Sequence, residues 1–144
     1  MFDSHCHLDR VGTQSETMLA RAQAAGVEHI MIAGVNPTGW DHQLEWVRPG
    51  VSIAVGIHPW FVASSRQTNR DHLQRLEAFI NHHRDQIRSV GETGLDFARA
   101  KDSILRAEQQ HVFRSHIHRA VNWDLPLILH AVKAHERVMA ILKS

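Results

Sequence analysis

The sequence predicts an α/β protein that forms part of a barrel of parallel strands. Strand-like apolar segments and amphipathic helix-like segments alternate five times without a low-complexity linker, which is the pattern of strand–helix units joined by right-handed crossovers. The strand-like segments that begin at Phe2, Val51 and Leu125 are apolar on both faces, as parallel strands covered by helices are. A closed barrel of this type needs eight units over roughly 250 residues. The 144 residues therefore predict an incomplete (β/α)8 TIM-type barrel of about five parallel units, with residues 1–144 as one domain.

The first unit has a clear signal at each end of its helix. Residues 2–7 form the predicted strand, and Thr13-Gln14-Ser15-Glu16 fits a capping box, in which a hydroxyl and a carboxylate satisfy the first N–H groups of a helix. The helix then places Met18 inward with its other apolar residues. Gly26 ends it, because glycine adopts the left-handed conformation that closes many helices.

The later units follow the same alternation. A second strand at residues 29–33 precedes a helix for which Asn36-Pro37 provides an N-cap and a first-turn proline. The later predicted elements are strands at 51–57, 87–91 and 125–130, helices at 69–83 and 103–123, and a last helix at 133–143 that buries Val138, Ile141 and Leu142.

Composition excludes some classes of protein and places few limits on the rest. Hydrophobic residues make up 43% of the chain and charged residues 22%, which is ordinary for a globular protein, and the formal net charge of +1 gives no basic field for a polyanion. The single cysteine rules out an internal disulfide and suits a reducing compartment. Without a basic–apolar leader or a long apolar run, we expect neither a secretion signal nor a membrane span, and a cytoplasmic location.

Two histidines near the start of the chain suggest half of a metal site. Side chains alternate between the faces of a strand, so His5 and His7 point the same way and Cys6 points the other way. Two imidazoles on one face are suitable ligands for a transition metal. The alternative is chance, because the chain contains 13 histidines.

Further potential ligands lie where other predicted strands end. His58, Glu92 and His130 fall at the C-terminal ends of strands three, four and five, the rim at which barrels of this kind build their active sites. Gly91 and Gly94 would let the backbone turn away beside Glu92. Glu92 as a surface or capping carboxylate and His130 as a core histidine remain alternatives. For His58, a ligand, a substrate contact and a turn residue are equally open.

This combination of residues favours metal-assisted hydrolysis. Histidines with a carboxylate able to bridge suit Zn²⁺, Mn²⁺ or a related ion, and such a site activates water for attack on a phosphate ester, an ester or an amide. We expect Asp3 to share the inner face with His5 and His7, in a supporting or buried structural role. Cys6 is expected to pack as a small apolar residue, and Lys133 to lie at a solvated helix start.

These residues together resemble the TatD family of metal-dependent hydrolases, within the amidohydrolase-like barrels. The likeness runs in order over essentially the whole chain. The matching stretches are Asp3-Ser4-His5-Cys6-His7, Gly56-Ile57-His58-Pro59, Gly91-Glu92-Thr93-Gly94-Leu95-Asp96, Gln109 to Phe113, Leu125-Pro126-Leu127-Ile128-Leu129-His130 and Ala134-His135-Glu136-Arg137.

The resemblance implies a hydrolase with two divalent ions (Zn, Mn or Mg), acting on DNA from the 3′ end. By this analogy His5 and His7 hold one ion, Glu92 bridges both, His130 holds the second, and His58 binds substrate. The family's general-base aspartate comes from the eighth strand and would lie beyond residue 144, so no catalytic residue is expected in this chain.

Three hypotheses follow. The chain is the N-terminal part of a metal-dependent phosphodiesterase, or of a TatD-like hydrolase of an ester or aminoacyl bond, or it is a non-catalytic truncated remnant. The family often has an arginine just after the histidine of strand five, where this chain has Ala131-Val132-Lys133. We expect the 144-residue chain alone to be inactive and to self-associate.

Overall fold

The computed structural model describes residues 1–144 and contains one curved parallel sheet. Its strands are ordered β1-β2-β3-β4-β5, and every neighbouring pair is parallel. The outer strands β1 and β5 each pair on one side only, so the sheet has two free edges. Its strands are β1 (Phe2–Cys6), β2 (His29–Ala33), β3 (Val51–Val55), β4 (Ile87–Asp96) and β5 (Leu127–Val132).

Five α-helices alternate with the strands and cover the sheet. The helices are α1 (Ser15–Ala24), α2 (Trp40–Leu44), α3 (Arg66–His82), α4 (Ser103–Trp123) and α5 (His135–Leu142). A cavity of about 360 Å³ on the other side of the sheet is lined from both edge strands, by residues that include Phe2 and Leu129. The sheet therefore curves around a common interior, which confirms the predicted incomplete barrel of five strand–helix units.

The main hydrophobic core lies between the sheet and the helices. Alternate residues of the central strands, such as Ile53, meet the apolar faces of α3 and α4, where Leu76, Ile80 and Val112 are at most 1% exposed. Trp40 at the start of α2 is completely buried and donates its indole N–H to the carbonyl of Gly56. This packing fixes the ends of β3 and β4, where the site is built.

Several predicted helix details are wrong. The helix α1 begins at Ser15, after two short 3-10 turns. The hydroxyl of Ser15 donates to the carbonyls of Leu8 and Gly12, and the predicted capping box does not form. Asn36 accepts from the N–H of Thr38 in a turn, and α2 begins only at Trp40.

Two residues predicted to be buried are exposed, for a geometric reason. Met18 in α1 is 41% exposed and Leu142 in α5 is 39% exposed. Leu19, Val138 and Ile141 are the residues of these helices that enter the core. A short helix buries a narrow apolar stripe, so neighbours one position away from that stripe stay in solvent.

The strand β4 is longer than predicted and includes Glu92. It continues to Asp96, and Gly91 and Gly94 lie inside it with φ values of +139° and +136°. A Cβ on Gly94 would collide with the backbone of His130. These glycines therefore serve close packing of β4 against β5, not a turn, and they bring Glu92 and His130 to the same end of the sheet.

No helix combines the length and apolar composition needed to cross a membrane.

Candidate metal centre

Glu92 lies at the centre of a cluster of four histidines. Its Oε2 is 3.2 Å from Nε2 of His5 and 3.5 Å from Nε2 of His7. Its Oε1 is 3.0 Å from Nδ1 of His130 and 3.5 Å from Nε2 of His58. The structure thus brings together all five residues that the sequence singled out. Each carboxylate oxygen faces its own pair of imidazoles, which is the geometry of a bridging ligand.

The first pair of histidines comes from the C-terminal end of β1. The pairing of β1 with β2 is irregular between Asp3 and Cys6, and His5 and His7 both reach the carboxylate of Glu92 across this irregularity. The Nδ1 of His7 is 3.2 Å from the carbonyl oxygen of Ala33, to which it donates its N–H. That bond leaves the Nε2 lone pair directed at the cluster, as in histidines that bind metals.

His58 differs from the other histidines in the position of its proton. Its Nδ1 accepts the backbone N–H of Trp60 at 3.1 Å, so in the neutral ring the proton must be on Nε2. This Nε2–H points towards Nδ1 of His130, 3.0 Å away, and towards Glu92. A protonated nitrogen donates hydrogen bonds and does not bind a metal. His58 therefore fits a donor to substrate or to the cluster better than a ligand.

His130 on β5 is oriented by Asp96 at the end of β4. The Nε2 of His130 lies 3.3 Å from Oδ2 of Asp96, and its Nδ1 faces Glu92. A carboxylate on the far nitrogen fixes the ring orientation and makes the near nitrogen a better ligand. The same Asp96 oxygen accepts the indole N–H of Trp60 at 2.8 Å, and Oδ1 accepts the N–H of Arg99. Asp96 therefore holds His130 in place.

The cluster keeps both carboxylates ionised. Burial by itself would raise the pKa of Glu92, but the hydrogen bond and charge of His58, together with His5 and His130, lower that pKa to about 2. Burial likewise opposes ionisation of Asp96, yet the hydrogen bonds from Trp60 and the N–H of Arg99 lower its pKa. Both groups are therefore negatively charged at neutral pH.

Two buried polar side chains of α4 support the site from behind. Gln109 is 1% exposed; its Oε1 accepts the N–H of Asp96 and its Nε2 donates to the carbonyl of Pro59. His116 is fully buried; its Nε2 accepts the N–H of Ile57 at 3.0 Å, and its Nδ1 donates to Val112. These bonds tie the ends of β3 and β4 to one helix.

A cavity of about 270 Å³ opens next to the cluster. His7, His58, Glu92 and His130 form its polar end. Arg10, Val35, Trp60 and Phe61 complete its wall. Three of these eight residues are apolar, so the cavity can bind a substrate that carries both charged and flat apolar parts.

The secondary predictions for nearby residues have mixed outcomes. Asp3 does not share the inner face with His5: it pairs with Ile30 and borders, with Cys6, a cavity on the side of α1, because β1 is irregular between Asp3 and Cys6. Asp3 is exposed, so the buried role is also wrong, but its Oδ1 accepts the N–H of His5 and thereby supports that residue. Cys6 packs against the core, and burial raises the pKa of its thiol. Lys133 precedes α5 with a φ of +51° and borders a separate surface cavity with Phe97.

The donor set fits divalent transition ions. The cluster contains two groups of three residues, and within each group the potential ligand atoms all lie within 4.8 Å of one another. Glu92 belongs to both groups. The group of His5, His7 and Glu92 offers two imidazoles and a carboxylate, which suits Zn²⁺ or Mn²⁺. The second group consists of His58, Glu92 and His130. Because the proton of His58 is on Nε2, only Glu92 and His130 offer ligand atoms to an ion in this group.

The chain is similar in sequence to a family of known hydrolases. The sequence model of the TatD related DNase family matches residues 2–144. An uncharacterized metal-dependent hydrolase of Buchnera aphidicola is 27% identical over 150 residues, covering 99% of this chain and 54% of the relative. The 3′-5′ ssDNA/RNA exonuclease TatD of Cronobacter turicensis is 32% identical over 129 residues, covering 88% of this chain and 46% of the relative.

Solved structures agree with the sequence comparison. The crystal structure of a TatD homologue from Escherichia coli K12 (YJJV) matches with a TM-score of 0.86 and 26% identity, covering 99% of this chain and 55% of the homologue. The chain spans about half the length of the curated relatives that it matches.

Proposed function

Since the chain belongs to the family of TatD related DNases, we propose that the protein acts as a divalent-metal-dependent hydrolase on the 3′ ends of single-stranded nucleic acid. The observation that supports this most is the position of Glu92, with one carboxylate oxygen beside His5 and His7 and the other beside His130. This is the arrangement expected for two ions roughly 3.5–4 Å apart with a shared carboxylate.

Each residue of the cluster has a separate task in the proposed reaction. His5 and His7 would hold one ion, His130 would hold a second, and Glu92 would offer one carboxylate oxygen to each. The chemistry that such ions supply is Lewis-acid activation of water and of the phosphoryl group. His58 donates its Nε2–H to a substrate oxygen, because its other nitrogen is occupied by the N–H of Trp60.

The chain's second contribution is preorganisation. Donors and acceptors that are fixed before the substrate arrives need no rearrangement during the reaction. Asp96 fixes the ring of His130, the carbonyl of Ala33 fixes His7, and Gln109 fixes the backbone of Asp96. His5, Glu92 and His130 lie on strands, whereas His7 and His58 lie just beyond the ends of β1 and β3, and each of these two is held by a hydrogen bond to the backbone.

Shortening of a labelled oligonucleotide tests the proposal. The protein is expressed from its complete natural gene and incubated with Mn²⁺ and a single-stranded DNA labelled at its 5′ end, with the 144-residue chain measured beside it. We expect the products to shorten stepwise from the 3′ end, and Glu92→Gln to abolish the reaction. The exposed His42 on α2 provides the control His42→Gln, which should retain full activity.

Two outcomes would contradict the proposal. If the protein leaves DNA and RNA ends intact but hydrolyses a simple aryl ester in a Glu92-dependent manner, it is a metal-dependent esterase. If Glu92→Gln degrades DNA as fast as the parent, the cluster is not the site of the reaction. We expect the 144-residue chain alone to be inactive on these substrates.

A further inference from the structure

One tryptophan is held in an unusual place beside the cluster. Trp60 follows β3 and is 55% exposed, whereas Trp40 and Trp46 are at most 9% exposed in the core. A hydrogen bond and a cation–π contact keep its indole in position: the N–H donates to Asp96, and the guanidinium of Arg99 lies over one face of the ring, 4.2 Å from its centroid. A large apolar ring that is both exposed and fixed suits stacking against a ligand.

The ring of Trp60 borders the cavity that opens onto the cluster. Its nearest aromatic neighbour there is His58, whose ring centroid is 5.1 Å away in an edge-to-face arrangement. A planar group that stacks on the indole would therefore lie next to the imidazole of His58, whose Nε2–H points towards His130 and Glu92. The cavity volume of about 270 Å³ lies just below the usual range of small-ligand sites.

Arg10 supplies the fixed positive charge of the same cavity. It is exposed on the short turn after β1, it lines the cavity, and its guanidinium forms no hydrogen bond or ion pair within the chain. The neighbouring Asp9 is half-buried; burial raises the pKa of its carboxyl, and Arg10 opposes that rise. A guanidinium with all its donors free is suited to bind a phosphate in a bidentate manner.

We propose that Trp60 stacks on the terminal nucleobase of the substrate and that Arg10 binds the phosphate attached to that nucleotide. This inference rests on the proposed function and assigns two of its specificity-determining residues. The base must be unpaired and unstacked to lie on the indole, so the pair selects single-stranded ends. Stacking accepts any base, so the site is tolerant of sequence.

Three small ligands separate the two contacts. Binding of thymidine 5′-monophosphate, thymidine and deoxyribose 5-phosphate is measured by calorimetry without added metal and with a chelator, so that no reaction occurs. The nucleotide offers both groups, thymidine offers the base, and the sugar phosphate offers the phosphate. We expect Trp60→Leu to weaken binding of the nucleotide and thymidine by about tenfold and to leave the sugar phosphate unchanged. Arg10→Gln should weaken the nucleotide and the sugar phosphate by about tenfold and leave thymidine unchanged.

Additional variants distinguish stacking from structural damage. Trp60→Phe removes the hydrogen bond to Asp96 but keeps an aromatic face, so it should retain most of the affinity for thymidine. Two control variants change residues away from the cavity. Trp123→Phe replaces the last residue of α4, whose indole N–H donates to Asn81, and Arg70→Gln removes an exposed arginine of α3. Neither of these two controls should change the binding of any ligand.

The outcomes separate this inference from the proposed function. If Trp60→Leu and Arg10→Gln bind all three ligands as the parent does, the inference is wrong, even if DNA ends are still hydrolysed. If both variants show the expected pattern but no preparation hydrolyses DNA or RNA, the nucleotide site stands and the proposed reaction fails. If Trp60→Phe loses as much affinity for thymidine as Trp60→Leu, the indole acts through Asp96 and stacking is refuted.

Discussion

The buried His116 should make the stability of this protein fall steeply between neutral and mildly acidic pH. Burial of the ring, with a contribution from Arg119, lowers the pKa of His116 from 6.5 to about 4, although the hydrogen bond to the carbonyl of Val112 opposes the shift. The neutral ring is needed because its Nε2 accepts the N–H of Ile57. Protonation would turn that acceptor into a donor and place a charge in the core.

The size of the effect follows from the two pKa values. The unfolded chain takes up a proton near pH 6.5, and the folded chain resists it until about pH 4. This contribution to stability is therefore complete above the unfolded pKa and is lost as the pH falls towards the folded pKa. The expected loss in the free energy of unfolding is about 2 kcal/mol at about pH 5 and about 3 kcal/mol at about pH 4.

Urea unfolding of the parent and of His116→Gln across this pH range measures the effect. Glutamine can accept the same N–H but does not titrate, so the difference between the two proteins isolates His116 from the other histidines. We expect the parent to lose about 2 kcal/mol more than the variant between about pH 7.5 and pH 5. Equal slopes for the two proteins, or an NMR titration of His116 centred near pH 6.5, would refute the reasoning.

Three other perturbations test the fold and the support of the site. Replacing Gly94 by alanine should cost about 2–4 kcal/mol in the free energy of unfolding, because the new Cβ would meet the backbone of His130 and because Gly94 has a positive φ. A loss below about 1 kcal/mol in thermal unfolding would contradict this. Gln109→Leu leaves the buried N–H of Asp96 without its partner, while the carbonyl of Pro59 keeps the N–H of Val62. This variant should cost about 1–3 kcal/mol in urea unfolding, whereas the surface variant Gln67→Leu should cost less than about 0.5 kcal/mol. The 144-residue chain should self-associate through the free edges of β1 and β5, so light scattering should show a mass that rises with concentration, and a constant monomer mass would count against it.

The sequence was sufficient to predict the order of the elements and the residues that meet at the strand ends. The bounds of β2 and α4 agree with the prediction. The strand β2 is a short apolar run, and α4 begins after Asp102, whose side chain caps it, and ends before Asp124 in the left-handed conformation. The start of α1 was mispredicted because the Ser15 hydroxyl bonds to Leu8, a contact that depends on the preceding turns. The length of β4 was mispredicted because Gly91 and Gly94 also suit turns, and only the approach of β5 explains them.

The supporting residues of the site were harder to recognise. Asp96 ends the motif that runs from Gly91 to Asp96, but its bond to His130 depends on how β4 and β5 pair. Gln109 and His116 carried a signal that was available: they are seven residues apart, and therefore on one face of α4, within its apolar stripe. A polar side chain in such a stripe needs a buried partner. Which partner it finds cannot be read from the helix alone.

The central claim is that His5, His7 and Glu92 hold a divalent ion, and calorimetric titration with Zn²⁺ tests it most directly. The parent should bind Zn²⁺ weakly near neutral pH, and the double variant His5→Ala/His7→Ala should lose that binding. The variant His58→Gln should keep it, because His58 is a donor. A double variant of the surface residues, His42→Ala/His118→Ala, is the matched control and should bind like the parent. Equal uptake by the parent and by His5→Ala/His7→Ala would show that the metal binds elsewhere and would contradict the account.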